Sequence, residues 1–208
     1  KFLREIDTLL LFEVADPSNS FDWRIVGMAK ELGVKVALMP MYECTPNPLP
    51  EELKPDVWLF PSELDKEVYE SIGESGHLVK IPVEVPSKKR SVAKTFVHNA
   101  GSSNSLVTGR NGTKTLLEAI PLVKSDANFI IRTRDSSLQI NDPRVEIIEK
   151  DIPYEELWKQ GDAFIFVESY NGLSLPLQEA YAAGMLVIAG NRFPINTWIP
   201  EEGLVVPD

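Results

Sequence analysis

Residues 163–190 set an apolar run, AFIFVES (163–169), before a Gly-led segment, NGLSLPLQEAYAAG (171–184), and close with a second apolar run, MLVIAG (185–190). Short apolar runs on either side of a helical segment specify a strand–loop–helix–strand unit, and such units build parallel sheets. A loop that leaves a buried strand and opens a helix aims backbone N–H groups and a positive helix end at one spot. α/β proteins hold phosphates there. Asn171 and Glu179 are eight residues apart, which puts the first at the helix mouth and the second about one and a half turns inside. Glu179 is the anomaly, a carboxylate on a helix otherwise made of residues for close packing. An unpaired buried charge is costly, so Glu179 needs a partner, and ligand hydroxyls supply one. The plain structural alternative is a packing helix that lays Ala182, Ala183 and Gly184 against the sheet.

The rest of the chain repeats the alternation. In the first part the pattern predicts strands over 8–14, 34–40, 56–62 and 77–85. Helices are expected over 21–33, ending at Gly33, and from Ser62 or Asp65 to about Gly73. The proline-rich segment 42–55 reads as a loop, and PSKKRSVAK (86–94), polar and without apolar period, as a linker. After it come strands over 95–101, 128–134, 144–150, 163–169, 185–190 and 203–207. Helices are expected over 113–125 and 154–161. Two domains follow, 1–88 and 89–208, the first small or truncated.

Composition removes several functions. At 208 residues and 43% hydrophobic content the chain buries a real core. Its net charge of −10 is evenly spread, with 11 basic and 16 acidic groups before residue 92 and 10 and 15 after it. No basic stripe offers itself to nucleic acid or to anionic lipid, so neither partner is expected and peripheral membrane association has no support. One cysteine, Cys44, forms no intrachain disulfide and fits a reducing compartment. With no membrane-length apolar run or signal-peptide pattern, the chain reads as cytoplasmic. Two histidines and a lone cysteine give no zinc spacing. There is no Asp-x-Asp, no Walker loop and no G-x-S-x-G elbow.

Other residues stand where open α/β sheets place ligands, at the carboxyl ends of strands. These are His98, Gly101 and Ser102 after one strand, Arg132 and Arg134 on the next, and Glu13 and Asp16 after the first. A lone histidine is as readily a satisfied structural side chain, and His77 reads as a bystander. The four tryptophans read as packing anchors, with Trp198 the best candidate for a ligand platform.

The segment 162–190 resembles the donor-binding segment of family-four (group 1) retaining glycosyltransferases, which have the GT-B fold. That family shows E-G-x-x-L-x-x-x-E-A-x-A-x-G-x-P-V, matched here by Gly172, Leu175, Glu179, Ala180, Ala182, Gly184 and Val187. Residues 95–133 and 144–166 are similar to the family's neighbouring units, and IPVEVP (81–86) to its interdomain step. The likeness is good from about residue 81 onward and weak before it. Two departures stand out. The first glutamate of the family's E-x(7)-E is Asn171, and its Arg-Lys-Gly step reads Arg110-Asn111-Gly112, with Lys114 following.

The resemblance implies a GT-B-like architecture, two Rossmann-like domains facing a cleft. It also implies metal-independent, retaining transfer of a sugar from a nucleotide-diphosphate sugar, without a cofactor, to an acceptor that is a glycan, a lipid-linked sugar or a protein. Arg110, Lys114 and the N–H groups of the 172–175 loop are expected to stabilise the leaving diphosphate. Glu179 is expected to hold the ribose. Asn171, Gly172, Leu173, Ser174 and Leu175 are expected at the sugar, with Gly101, Ser102 and Arg132 on the donor as well. His98, Glu13 and Asp16 are positional candidates for a further contact. A nucleotide-sugar-binding module or a catalytically degenerate partner subunit is the alternative, favoured by Asn171 and by the missing lysine at 111. A different GT-B enzyme, such as a sugar-nucleotide epimerase, is a third reading.

Overall fold

The computed structural model describes residues 2–13, 21–45, 48–101, 109–169 and 171–200, together with the backbone of 204–206. The chain divides into two compact units, Lys1–Ile81 and Pro82–Asp208.

The first unit holds four parallel strands, β1 (Thr8–Phe12), β2 (Lys35–Met39), β3 (Val57–Phe60) and β4 (Gly76–Leu78), in the spatial order β1-β2-β3-β4. Helices α1 (Arg24–Glu31) and α2 (Glu63–Ser71) connect them. Ser62 caps α2 by accepting the Asp65 N–H, which satisfies one of the donors that a helix start leaves unpaired. Right-handed crossovers between strands in sequential order put every connecting helix on one face. That face carries the core, with Val26, Ala29 and Val36 in one cluster and Leu38, Trp58, Phe60 and Tyr69 in another. The opposite face shows Leu10 and Phe12 at 51% and 56% exposure. Strand β4 is far shorter than the 77–85 run suggested. Pro82 and Pro86 lack the N–H that a continuing ladder needs.

The second unit is doubly wound. Its six parallel strands are β5 (Thr95–Gly101), β6 (Asn128–Thr133), β7 (Val145–Ile148), β8 (Ala163–Phe166), β9 (Leu186–Gly190) and β10 (Leu204–Val206). They lie in the order β10-β9-β8-β5-β6-β7, so the winding direction reverses between β5 and β8. Helices α3 (Thr113–Ala119), α4 (Tyr154–Leu157) and α5 (Leu175–Ala182) complete it. Period two splits the strands' side chains between two cores. Phe164 and Phe166 pack with Leu177, Ala180 and Trp158, while Ile165 packs with Leu116, Ile120 and Phe129. The helix expected to reach residue 125 ends at Ala119 and tightens into a 3-10 turn, because Pro121 has no N–H for the α ladder.

The polar stretch 86–94 has no regular structure, yet it is fastened to the second unit. The Lys88 N–H donates to the Ala183 carbonyl at 3.1 Å, and the Arg90 guanidinium donates to the carbonyls of Gly161, Ala183 and Trp158 at 3.0, 2.5 and 2.7 Å. Among the described residues no helix is long and apolar enough to cross a membrane.

Candidate functional site

In an open α/β sheet a crevice opens where the winding reverses, at the carboxyl ends of the two central strands. In the second unit those strands are β5 and β8, and the loops that leave them are pinned to each other. Gly112 has φ +68°, and a Cβ placed on it would stand 2.1 Å from the Val167 carbonyl oxygen, so only glycine fits. The Ser169 N–H and hydroxyl both donate to the Arg110 carbonyl, at 2.8 and 3.1 Å. Beneath this junction Asn111 is buried. Its amide donates to the Ala100 carbonyl and its Oδ1 accepts the Thr113 N–H at 3.3 Å, which fixes the mouth of α3.

The loop from β8 to α5 is held by its own side chains. The Asn171 Nδ2 donates to Glu168 Oε2 at 2.8 Å, and Asn171 Oδ1 accepts the Ser174 N–H at 2.7 Å. Ser174, buried and left-handed at φ 50°, donates its hydroxyl to the Asn171 carbonyl at 2.8 Å. From α5 the Gln178 amide reaches the Leu173 carbonyl at 2.6 Å, and the Trp198 indole N–H reaches the Gly172 carbonyl at 2.9 Å. Trp198, the candidate ligand platform, is thus a brace for this loop. Among the described residues no protein acceptor meets the N–H groups of Gly172, Leu173 or Leu175. Arg110 and Lys114 are exposed, and the Arg110 carbonyl is bonded to Ser169 on the loop that carries these three donors.

Glu179 is half-buried on α5, and its Oε1 accepts the Tyr154 hydroxyl of α4 at 3.0 Å. The partner its charge requires in the unliganded protein is therefore a phenol, supplied from an element 25 residues earlier. Gly101 ends β5 at φ +72° after a register shift, and its carbonyl accepts the Arg134 N–H at 2.8 Å. Ser102 and Asp16 lie outside the described residues.

Several expectations need correction. The Ser174 N–H, a backbone donor expected at the sugar, is instead used within the loop on the Asn171 side chain, whereas Asn171 keeps a second amide N–H beyond its bond to Glu168. His98 is 2% exposed. Its Nδ1–H donates to the Ile165 carbonyl at 3.0 Å, and Nε2 lies 2.8 Å from Thr113 Oγ1. Burial lowers its pKa and keeps the ring neutral, so it is a structural tie between β5, β8 and α3. Arg132 is 8% exposed because period two puts it on the same face as Ile130, under Trp158. Its Nη2 donates to the Leu157 carbonyl at 2.5 Å, while Nε and Nη1 have no partner among the described residues, and burial lowers its pKa to about 10. Arg134 is exposed beside Asp151 at 3.5 Å.

Glu13, in the first unit, is buried rather than poised for a ligand. Its Oε2 accepts the Met41 N–H at 3.0 Å and the Thr45 hydroxyl at 2.6 Å. Nearby, Asp65 accepts the Tyr42 N–H at 3.2 Å and the Ser62 hydroxyl, and burial raises its pKa to about 6. The folded-state value stands above the ordinary 3.8, so the native state takes up the proton first. Stability then rises as pH falls through 6. Between pH 7 and pH 5 Asp65 is expected to add about 1 kcal/mol. Urea midpoints of the wild type and Asp65→Asn at the two pH values check this, and the variant should show the smaller gain.

The residue that the sequence pattern conceals is Glu168. The apolar run places it inside a strand over 163–169, but β8 stops at Phe166 and releases it into the loop. Burial raises its pKa, against the opposing effects of the Asn171 amide and the Arg110 charge. Among the described residues no cluster of His, Cys, Asp and Glu is arranged to hold a metal ion.

No protein-family model matches the sequence, and no curated protein does. Solved structures do match. A HepE structure from Anabaena in complex with UDP and glucose superposes with TM-score 0.66 over 99% of this chain at 10% identity. The lipopolysaccharide outer core galactosyltransferase WaaB does so with TM-score 0.63 over 96% at 15% identity, and TarM with 0.62 over 84% at 11%. The chain has the α/β fold of these GT-B glycosyltransferases. It spans 65%, 61% and 41% of their respective lengths.

Proposed function

We propose that this chain carries the donor site of a glycosyltransferase that uses a nucleotide-diphosphate sugar. The observation that supports this most directly is the pinned pair of loops at the winding reversal of the second unit. One loop carries three backbone N–H groups that meet no acceptor among the described residues, and Arg110 and Lys114, on the loop and helix after β5, are exposed. A diphosphate fits that donor set. Fixed positive charge around a departing diphosphate lowers the barrier to glycosyl transfer, because it meets negative charge that grows as the glycosidic bond breaks. Glu179 then exchanges the Tyr154 hydroxyl for the hydroxyls of a ribose. HepE, similar in fold, is solved with UDP and with UDP-glucose, and a uridine diphosphate sugar is the first donor to test here.

In this reading the diphosphate is held by protein groups alone, transfer retains the anomeric configuration and the acceptor is a hydroxyl-bearing glycan, lipid-linked sugar or protein. A second reading, a nucleotide-sugar-binding module, is favoured by Asn171, an uncharged amide whose side chain bonds within its own loop. One experiment separates the two. The protein is incubated with UDP-glucose, UDP-galactose, UDP-N-acetylglucosamine and GDP-mannose, and binding and nucleotide release are followed together. Binding with release that rises when an acceptor panel is added supports the transferase. Binding without release supports the module. If none of the four binds, both readings fail.

A further inference from the structure

Asn171 stands where the loop would present a side chain to a ligand, and its amide is bonded to Glu168 and to the Ser174 N–H. Glu168 Oε2 receives the Asn171 amide at 2.8 Å, whereas Oε1 has no donor among the described residues. The position of Glu168 is over-determined. Val167 before it is packed against Gly112, and Ser169 after it is bonded twice to the Arg110 carbonyl. The carboxylate thus sits between the two crevice loops, partly withdrawn from water, with the Arg110 charge near enough to act on it.

An ionised carboxylate only accepts hydrogen bonds, and an oxygen of a half-buried side chain that no protein donor meets remains open to a ligand's donors. A diphosphate brings no donors and a like charge, so it does not fit against Glu168. A sugar brings several hydroxyl donors and no charge. We propose that Glu168 binds a hydroxyl of the donor sugar through Oε1, with Asn171 as the positioning residue that orients the carboxylate. This rests on the donor-site reading above and deepens it. The diphosphate and the sugar then have separate recognition groups, cations and N–H groups for one and Glu168 for the other.

Glu168→Gln tests the assignment. Glutamine keeps the length of the side chain and accepts the Asn171 amide with its carbonyl oxygen, which turns an NH2 donor toward the ligand in place of an acceptor. The affinities of wild type and variant are measured for UDP and for UDP-glucose, with the other panel sugars and their free nucleotides run alongside. The variant is expected to bind the free nucleotide within about twofold of the wild type, while the affinity ratio of nucleotide sugar to free nucleotide falls at least about tenfold. In parallel, the wild type is tested with deoxygenated UDP-glucose analogues, a measurement that does not depend on the variant folding. One deoxy position should lose the same factor that Glu168→Gln loses, and the variant should be indifferent at that position. If the variant weakens nucleotide and nucleotide sugar equally, or no deoxy analogue loses affinity, Glu168 is a loop support and the assignment is wrong while the donor site stands. If the wild type binds neither class, the donor-site reading fails and this one falls with it.

Discussion

Replacing Gly112 with alanine is expected to cost roughly 4 kcal/mol and to dismantle the crevice. Two effects add. At φ +68° an L side chain meets about 1–2 kcal/mol of steric penalty from its own backbone. The new Cβ would also stand 2.1 Å from the Val167 carbonyl oxygen and 2.8 Å from its Cγ2, so backbone must shift to admit it. Relief requires the 109–112 turn to lift off β8, which breaks the paired bonds from Ser169 to the Arg110 carbonyl. Gly109 supplies the control. Its φ is +69°, almost the same, but a Cβ there meets nothing within 4 Å. Gly109→Ala should therefore lose only about 1 kcal/mol, the backbone penalty alone. Urea denaturation of the two variants reads the difference, and equal losses would refute the close-approach argument.

Glu179→Ala is expected to weaken nucleotide binding roughly 30- to 100-fold, about 2–3 kcal/mol, with little effect on stability. In the unliganded protein Glu179 is half-buried and bonded to one exposed phenol, so its removal leaves no charged partner stranded. With a nucleotide bound, the same carboxylate would accept the ribose hydroxyls, and charged acceptors make the stronger hydrogen bonds. The comparison of UDP with 2′,3′-dideoxy-UDP isolates this contact. The wild type should prefer the ribose form by the factor that Glu179→Ala loses, and the variant should not distinguish the two. Equal losses for both ligands, accompanied by a lower unfolding midpoint, would show that Glu179 serves the fold.

Much of the second unit was legible in the chain. Its strands announce themselves as apolar runs and Gly184 as a helix end. The reversal of winding is implicit in a βαβ series that must cover both faces of a parallel sheet. The loop-and-helix unit at 163–190 was readable because backbone geometry follows from local pattern. The side chains around it were harder. His98 and Arg132 lie at the carboxyl ends of strands, as ligand-binding residues do, but a strand alternates its faces and both point into a helix-covered core. Which face is covered depends on helices at 113–119, 154–157 and 175–182, and no window of sequence around residue 98 or 132 contains them. Glu168 was hidden for the opposite reason. An apolar run extending to Ser169 conceals a strand end at Phe166. Apolar alternation carries no signal for a ladder that stops because Gly112 brings another loop against Val167.

The sequence by itself determined the class of fold, the place in the chain where a loop leaves a buried strand and opens a helix, and the single carboxylate on that helix. Local pattern suffices for these, because helix and strand periods and the stereochemistry of glycine act within a few residues. Only the tertiary structure decided which polar groups are left over for a ligand. A side chain is available only after its hydrogen bonds within the protein have been counted, and those partners come from afar: Ile165 for His98, Leu157 for Arg132, Tyr154 for Glu179. The loop at 171–174 shows the division most plainly. Its sequence offered Asn171 to the ligand, and the folded loop bonds that amide to Glu168 and to the Ser174 N–H.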